Sequence, residues 1–178
     1  KKWGIFPAAA LRWSIANEPW LKDAHWLNDL SIRLSAGRSG NDAVASYQSL
    51  ATLTAATSSW MFGNSTDLAY VPSKLENSNL TWETTDSYNL GLNFAVLNSR
   101  IALEADAYIS NTRDLLLKMK TAQTTGFNTY FTNVGSTRNV GVEISLTTQN
   151  IRRRNFEWTS ILTVSHNRQT VIDIGNNG

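Results

Sequence analysis

Two alternating runs, one on each side of four turn-like residues, constrain this chain more than anything else in it. In the first, Tyr88, Leu90, Leu92, Phe94 and Val96 alternate with Asn89, Gly91, Asn93 and Ala95. After Leu97-Asn98-Ser99-Arg100, Ile101, Leu103, Ala105, Ala107 and Ile109 share one face, with Ala102, Glu104, Asp106, Tyr108 and Ser110 on the other. A period of two is the β signature, because successive side chains leave a pleated strand on opposite faces. Two such runs across a tight polar break make an antiparallel hairpin. Each arm exceeds the average globular strand of about 5–6 residues. Each also reaches the roughly 9–11 residues that a tilted strand needs to cross a bilayer.

Composition narrows the choices further. The 178 residues suffice for one domain. No run of about 18 apolar residues offers a transmembrane helix, which leaves membrane strands open because alternation keeps hydropathy low. Cys is absent, so there is no disulfide framework and no thiolate metal site. A net charge of +2 with scattered basic residues gives no reason to expect nucleic acid. Lys1-Lys2-Trp3-Gly4 carries no signal-peptide apolar region. An exported chain starting this way is expected to be a fragment or a mature piece.

Along the chain, Ala9, Leu11, Trp13 and Ile15 share a face of a first strand that Pro7 can start. Asn17 before Glu18-Pro19 suggests a cap for a short helical turn. Leu30, Ile32, Leu34 and Ala36 mark a second strand, with Arg38-Ser39-Gly40-Asn41 as its exit. Residues 42–79 show no sustained period, and loops beyond about 12–15 residues are usually functional or disordered. The central hairpin follows, then a second long connection over residues 112–132. Val140, Val142, Ile144 and Leu146 give a fifth strand, and Phe156, Trp158, Ser160, Leu162 and Val164 one face of a sixth. A basic turn, Asn150 to Asn155, joins them, and the residues from Asp173 on have turn chemistry.

The expected fold is therefore all-β, an antiparallel meander of six strands. Its second and fourth connections are long, its third and fifth short. Alternate connections of a meander emerge at the same rim, so all the length falls at one end. Outer-membrane barrels have this asymmetry, with short periplasmic turns and long extracellular loops. One face is nearly all aliphatic and aromatic, and the other is Asn, Glu, Asp, Ser, Thr and Gly, as in a hydrated lumen. Trp13, Phe94, Phe156 and Trp158 fall near the short turns, and Trp82 and Tyr88 near the other rim, like paired aromatic girdles. Two other readings compete: a complete eight-stranded anchor or adhesin barrel, and a soluble carbohydrate-binding β-sandwich whose aromatics are core.

Several motifs also match a known family in order. Trp3-Gly4-Ile5-Phe6-Pro7, the run Leu30 to Asn41, Leu80-Thr81-Trp82-Glu83-Thr84, and Asn133-Val134-Gly135-Ser136 followed by Asn139-Val140-Gly141-Val142-Glu143 span nearly the whole chain. They resemble the C-terminal half of SusC/RagA proteins, TonB-linked outer-membrane transporters. Ala36, where that family usually has an aromatic, and Val140, where a basic residue is common, depart from it. The resemblance implies a transmembrane barrel of about 22 strands, a plug, a TonB-contacting segment and a SusD-like surface lipoprotein acting as a lid. It implies the outer membrane of a Gram-negative cell, with its lipid around the wall, and import of oligosaccharide or peptide.

On the face read as lumen, Glu104 and Asp106 stand two apart, roughly 7 Å along the strand. Two carboxylates at that spacing fit a glycosidase pair, a cation site or a solute contact. Charged residues lining a wet lumen account for them more simply, and no catalysis is expected. Arg33, Asn93 and Glu143 face the same way, and Arg33 and Glu143 invite either a pair across the wall or a plug contact. His25 and His166 have no partner at metal-binding spacing, and no cofactor is expected. Arg152-Arg153-Arg154 reads as a solvated turn. In the long loops, Trp60, Phe62, Tyr70, Phe127, Tyr130 and Phe131 suit stacking on sugar rings, or packing against one another or a lid.

Six strands leave two long edges, and each unpaired N–H and C=O in hydrocarbon costs several kcal/mol. In water the same segment exposes a broad apolar face. Residues 1–178 expressed alone are expected to aggregate without detergent. A stable monomer with a cooperative melt, by gel filtration and circular dichroism, would refute the wall reading and promote the sandwich.

Overall fold

In the computed structural model the central hairpin forms as the alternation requires, and it extends on both sides into one sheet. The described residues are 3–21, 23–42, 49–55, 60–62, 65–67, 70–127 and 129–175, with backbone alone for 60–62, 65–67 and 123. The strands are β1 (Ala8–Ser14), β2 (Leu27–Asn41), β3 (Thr52–Ala55), β4 (Trp60–Phe62), β5 (Ser65–Asp67) and β6 (Tyr70–Lys74). They continue as β7 (Glu83–Val96), β8 (Ile101–Arg113), β9 (Leu116–Lys120), β10 (Thr129–Asn133), β11 (Ser136–Arg153) and β12 (Phe156–Asp173). The main sheet is six-stranded in the order β1-β2-β7-β8-β11-β12, antiparallel throughout.

Register carries the alternation from strand to strand. Leu11, Leu34, Leu90, Ala107 and Val142 stand side by side across five strands. Two residues nearer the short turns, Trp13, Ile32, Leu92, Ala105, Ile144 and Val164 form the next row across all six. Between these rows lies the opposite face, with Arg12, Arg33, Gly91, Asp106, Glu143 and Ser165 in line. A slip of one residue in any strand would invert its faces. Among the described residues the apolar face has no second sheet packed over it, and of the hydrophobic ones Leu80 alone is buried. The accessible surface is 13589 Å² for 19.8 kDa. A compact globule of that mass exposes only about 8,600 Å². This excess, and the single open sheet, oppose the soluble sandwich. The eight-stranded barrel fares no better, since β1 and β12 are the two ends of the sheet order.

Several boundaries differ from the sequence-based expectations. Arg38-Ser39-Gly40-Asn41 does not leave the sheet; it stays paired with Asp86 through Glu83. Gly40 permits this, because a Cβ there would meet the rings of Phe6 and Trp82, which pack on each other with centroids 5.3 Å apart. The helical turn is a 3-10 turn over Ile15–Asn17 with Ser14 at its N-terminal end, so Asn17 ends it rather than capping a later one. Pro19 explains the stop, since it drives Glu18 into extended backbone. Arg152 and Arg153 belong to β11 and not to a turn.

The long connections are also more ordered than their lack of period suggested. β3 pairs with β6 and β4 with β5, so residues 52–74 contain two small antiparallel pairs. β9 pairs with β10, which turns residues 116–133 into a hairpin and gives Tyr130 and Phe131 strand positions. Both excursions leave from the same rim. At the opposite rim Leu97, Asn98 and Ser99 all take positive φ, so the tight break is left-handed at three non-glycine residues. The Asn28 side chain, which accepts from the Ser99 N–H at 2.9 Å, and the Leu97 N–H donating to Trp26 hold it in place.

The faces can be tested at adjacent residues. A Lys replacing Leu92 places charge on the apolar face, at about 2–4 kcal/mol near a bilayer midplane. A Lys at Asn93 meets the polar face beside Glu104 and is expected to cost little. Folding yield of the full-length protein into lipid vesicles should fall for L92K alone. Equal losses at both positions would refute the face assignment.

Candidate functional site

The polar face is held together by side chains spaced two residues apart on neighbouring strands. Asn89 donates to Ser35 at 3.1 Å, Ser87 and Ser110 share a hydrogen bond at 3.1 Å, and Thr85 and Thr112 share one at 2.9 Å. Arg12 reaches Asp29 at 3.3 Å and Ser31 at 3.1 Å. All five charged or amide residues expected here, Arg33, Asn93, Glu104, Asp106 and Glu143, lie on this face.

Arg33 settles on Asp106 and not on Glu143. Its Nη2 donates to both Asp106 oxygens at 3.0 Å, across the whole width of β7. That crossing needs Gly91, the residue between them in the row: a Cβ there would lie 2.5 Å from Asp106 Oδ1 and 2.9 Å from Arg33 Nε. The pair also offsets a repulsion, because Asp106 stands directly opposite Glu143 on β11. With Asp106 engaged, Glu104 and Asp106 do not form an isolated acid pair. Arg33 Nε, Asn93 Oδ1 and Asn139 Oδ1 are buried on this face without a hydrogen-bond partner. Such groups are costly unless something else satisfies them.

At the long-excursion rim, Asn133 ties the two excursions together. Its Oδ1 accepts from the Thr81 N–H at 2.7 Å, and its Nδ2 donates to the carbonyls of Thr81 at 2.8 Å and Asp114 at 2.9 Å. Asn77 adds a bond from Nδ2 to the Phe131 carbonyl at 2.8 Å. Beside these ties is a polar cleft of about 300 Å³ lined by Leu75, Glu76, Asn77, Asn79, Tyr130, Thr132 and Asn133. Of the six loop aromatics singled out in sequence, Tyr130 lines this cleft, while Phe131 lies beside it in β10. Phe127 is half-buried at the hairpin tip, where its carbonyl accepts from Thr121. Tyr70 is 65% exposed on β6 and is not among the residues that line the cleft. The side chains of Trp60 and Phe62 lie outside the described residues. Sequence reasoning missed the cleft's Glu76, Asn77 and Asn79; their polar, turn-like composition was the available signal. Among the described residues no cluster of His, Cys, Asp and Glu could hold a metal ion.

Gly91→Ala is expected to destabilise the full-length protein by about 1–3 kcal/mol, the usual cost of overpacking. Removing the obstructed side chain in Arg33→Ala/Gly91→Ala should make the double variant less unstable than the sum of the singles, by about 0.5–3 kcal/mol. Denaturant unfolding in detergent checks this. Strict additivity would show that Gly91 does not serve the ion pair.

Comparison with known proteins fits this geometry. A family model described as TonB dependent receptor-like, beta-barrel, matches residues 1–177. TonB-dependent receptor P26 of Formosa agariphila is 36% identical over 174 residues, covering 98% of this chain and 17% of that protein. TonB-dependent receptor SusC of Bacteroides thetaiotaomicron is 36% identical over 180 residues, covering 98% of this chain and 18% of SusC. A chain in the structure of the RagAB peptide importer in its closed-closed state superposes with a TM-score of 0.86 at 26% identity, over 97% of this chain and 18% of that one. The chain thus spans less than a fifth of the relatives it matches. An open antiparallel sheet with one apolar and one polar face, matched end to end by a barrel-wall model, belongs to the TonB-dependent receptor-like β-barrel family, among its SusC/RagA members.

Proposed function

We propose that this chain is barrel wall and outer loops of a TonB-dependent outer-membrane importer of oligosaccharides or peptides. The observation that carries the reading is the pairing of an uncovered apolar face with a polar face rich in hydrogen bonds, with both long excursions at one rim. In a bilayer the apolar face meets lipid and the polar face lines a hydrated lumen. Arg33, Asn93, Glu104, Asp106 and Glu143 then line that lumen. The protein binds and moves its solute without converting it, with energy supplied through TonB by segments outside this chain.

The excursions supply recognition. The cleft at Tyr130 offers one aromatic ring among amides, a carboxylate and a hydroxyl, which suits a polar solute such as a sugar or a peptide backbone. The tip of the β9–β10 hairpin, residues 121–127, does not line the cleft and is the contact we assign to a SusD-like lid lipoprotein. A solved relative is described as a peptide importer, which supports the peptide class.

Replacing residues 121–127 by a short glycine linker keeps β9 and β10 and removes the tip. Changing loop length costs little thermodynamically, so assembly of the full-length protein should be normal. Solute uptake or co-purification of the lid lipoprotein should fall. Unchanged uptake together with unchanged lid association would show that the tip is dispensable.

A further inference from the structure

On the apolar side of the sheet, just short of the long-excursion rim, the hydrocarbon surface ends in a row that is strongly basic. Arg38 on β2, Asp86 on β7, Asn111 on β8 and Arg138 on β11 stand side by side in register. Arg113 lies two residues further out on β8, and Arg168 on β12 lies opposite Val140, diagonal to Arg138. All share the residue parity of Leu34, Leu90, Ala107 and Val142, so they belong to the face that meets lipid and not to the lumen.

The residues on the two middle strands pin three of these guanidinium groups. Asp86 accepts from Arg38 Nε at 2.6 Å and Nη2 at 3.0 Å, and from Arg113 Nη2 at 2.8 Å. Asn111 accepts from Arg138 Nε at 2.7 Å. Asp86 itself is only 12% exposed, whereas Arg38 and Arg113 are 46% and 60% exposed. The clamps therefore hold the planar groups in place while leaving N–H donors directed to the surroundings. Four arginines meet one carboxylate in this patch. Arg168 has no ion pair among the described residues.

The depth of the row identifies what it faces. Asp86 lies ten residues from Val96, at the short-turn end of β7. At about 3.3 Å per residue and a tilt of about 45° this is about 23 Å along the membrane normal. An outward apolar band is about 25 Å tall, so the row sits where the hydrocarbon gives way to headgroups. Tyr88, one row below on the same face and 53% exposed, is placed as an interfacial aromatic. Beneath it a shallow apolar depression of about 670 Å³, lined by Ala9, Leu34, Leu90, Ala107, Ile109 and Val142 among others, runs down the same face.

We infer that this patch is a docking site for an outer-leaflet lipid whose phosphates give it a net negative charge, with the arginines on those phosphates and the depression along an acyl chain. Charge complementarity selects the anionic headgroup, and the fixed, planar donors suit phosphate oxygens. The inference rests on the wall reading above, because long excursions mark the outer side.

The test uses the full-length protein in detergent and native mass spectrometry with three probe lipids: synthetic lipid A carrying phosphate, the same lipid dephosphorylated, and phosphatidylethanolamine. Wild type is expected to retain the phosphorylated lipid roughly tenfold better than the other two. Arg138→Gln/Arg168→Gln leaves the Asp86 clamp untouched and should remove most of that preference. Arg152→Gln/Arg153→Gln removes the same charge at the opposite rim and should leave it intact. Heat-modifiable gel mobility reports assembly for each variant, and each single substitution gives the same comparison if the double one does not assemble. A wild type that assembles but shows no phosphate preference, or equal losses in the two double variants, overturns the lipid site alone. A protein that stays soluble and monomeric without detergent overturns the wall reading and the site together.

Discussion

Strand register is the constraint from which the rest of this structure follows. Alternation within one strand sorts side chains onto two faces, but a wall needs every strand to agree about which face is which. Agreement is enforced pairwise, by Leu34 against Leu90, Leu90 against Ala107 and Ala107 against Val142. The same pairings that align the apolar rows bring Arg33, Gly91 and Asp106 into one line on the other side. A displaced strand would lose the ion pair and the lipid-facing surface together, so the two faces stabilise a common register.

Glycine makes this possible where side chains must reach across a strand. At Gly91 the absent Cβ opens a path for Arg33 over β7. At Gly141 the Tyr108 ring lies over the neighbouring backbone, 2.4 Å from where a Cβ would stand, so an aromatic covers the bare position from the adjacent strand. In both cases a residue that weakens an isolated strand strengthens a sheet, because its neighbour fills the space. The ion pair at Gly91 is only part-buried, with both partners about 40% exposed, so its Coulomb energy is modest. Its value lies more in cancelling the juxtaposition of Asp106 and Glu143 and in fixing register.

The sheet was legible in the sequence because its signal is local. Leu90, Leu92 and Phe94 announce a face without knowledge of any partner strand. The ends were less legible because they depend on distant residues. Arg38 to Asn41 looks like turn chemistry until Pro7, Phe6 and Trp82 come to lie beside it, with the Arg38 N–H bonded to the Pro7 carbonyl at 2.9 Å. Tyr130 and Phe131 have no clear period, yet become strand through pairing with Met119 and Lys118. The role of Asn133 was hidden for the same reason, since its partner Thr81 comes from the other long excursion and Asp114 from the far end of its own. Of the candidate site, the polar-face residues were readable from parity, whereas the choice of Asp106 over Glu143 by Arg33 required the register of three strands.

Arginine serves this chain in two settings that differ in what surrounds the guanidinium. On the polar face Arg12 and Arg33 each have a carboxylate as partner, as expected where water and charge are both within reach. At the outer end of the apolar face Arg38 and Arg113 share a single one, Asp86, and among the described residues Arg138 is bonded through its side chain to the Asn111 amide. A soluble protein gains nothing by crowding like charges on the rim of an apolar surface, and such crowding opposes folding. For a barrel wall, an anionic headgroup at that depth would complete the pairing that the chain leaves open, which is the site inferred above. The surplus of positive charge and the apolar rows beneath it both follow from the register that places Arg38, Asp86, Asn111 and Arg138 in one line.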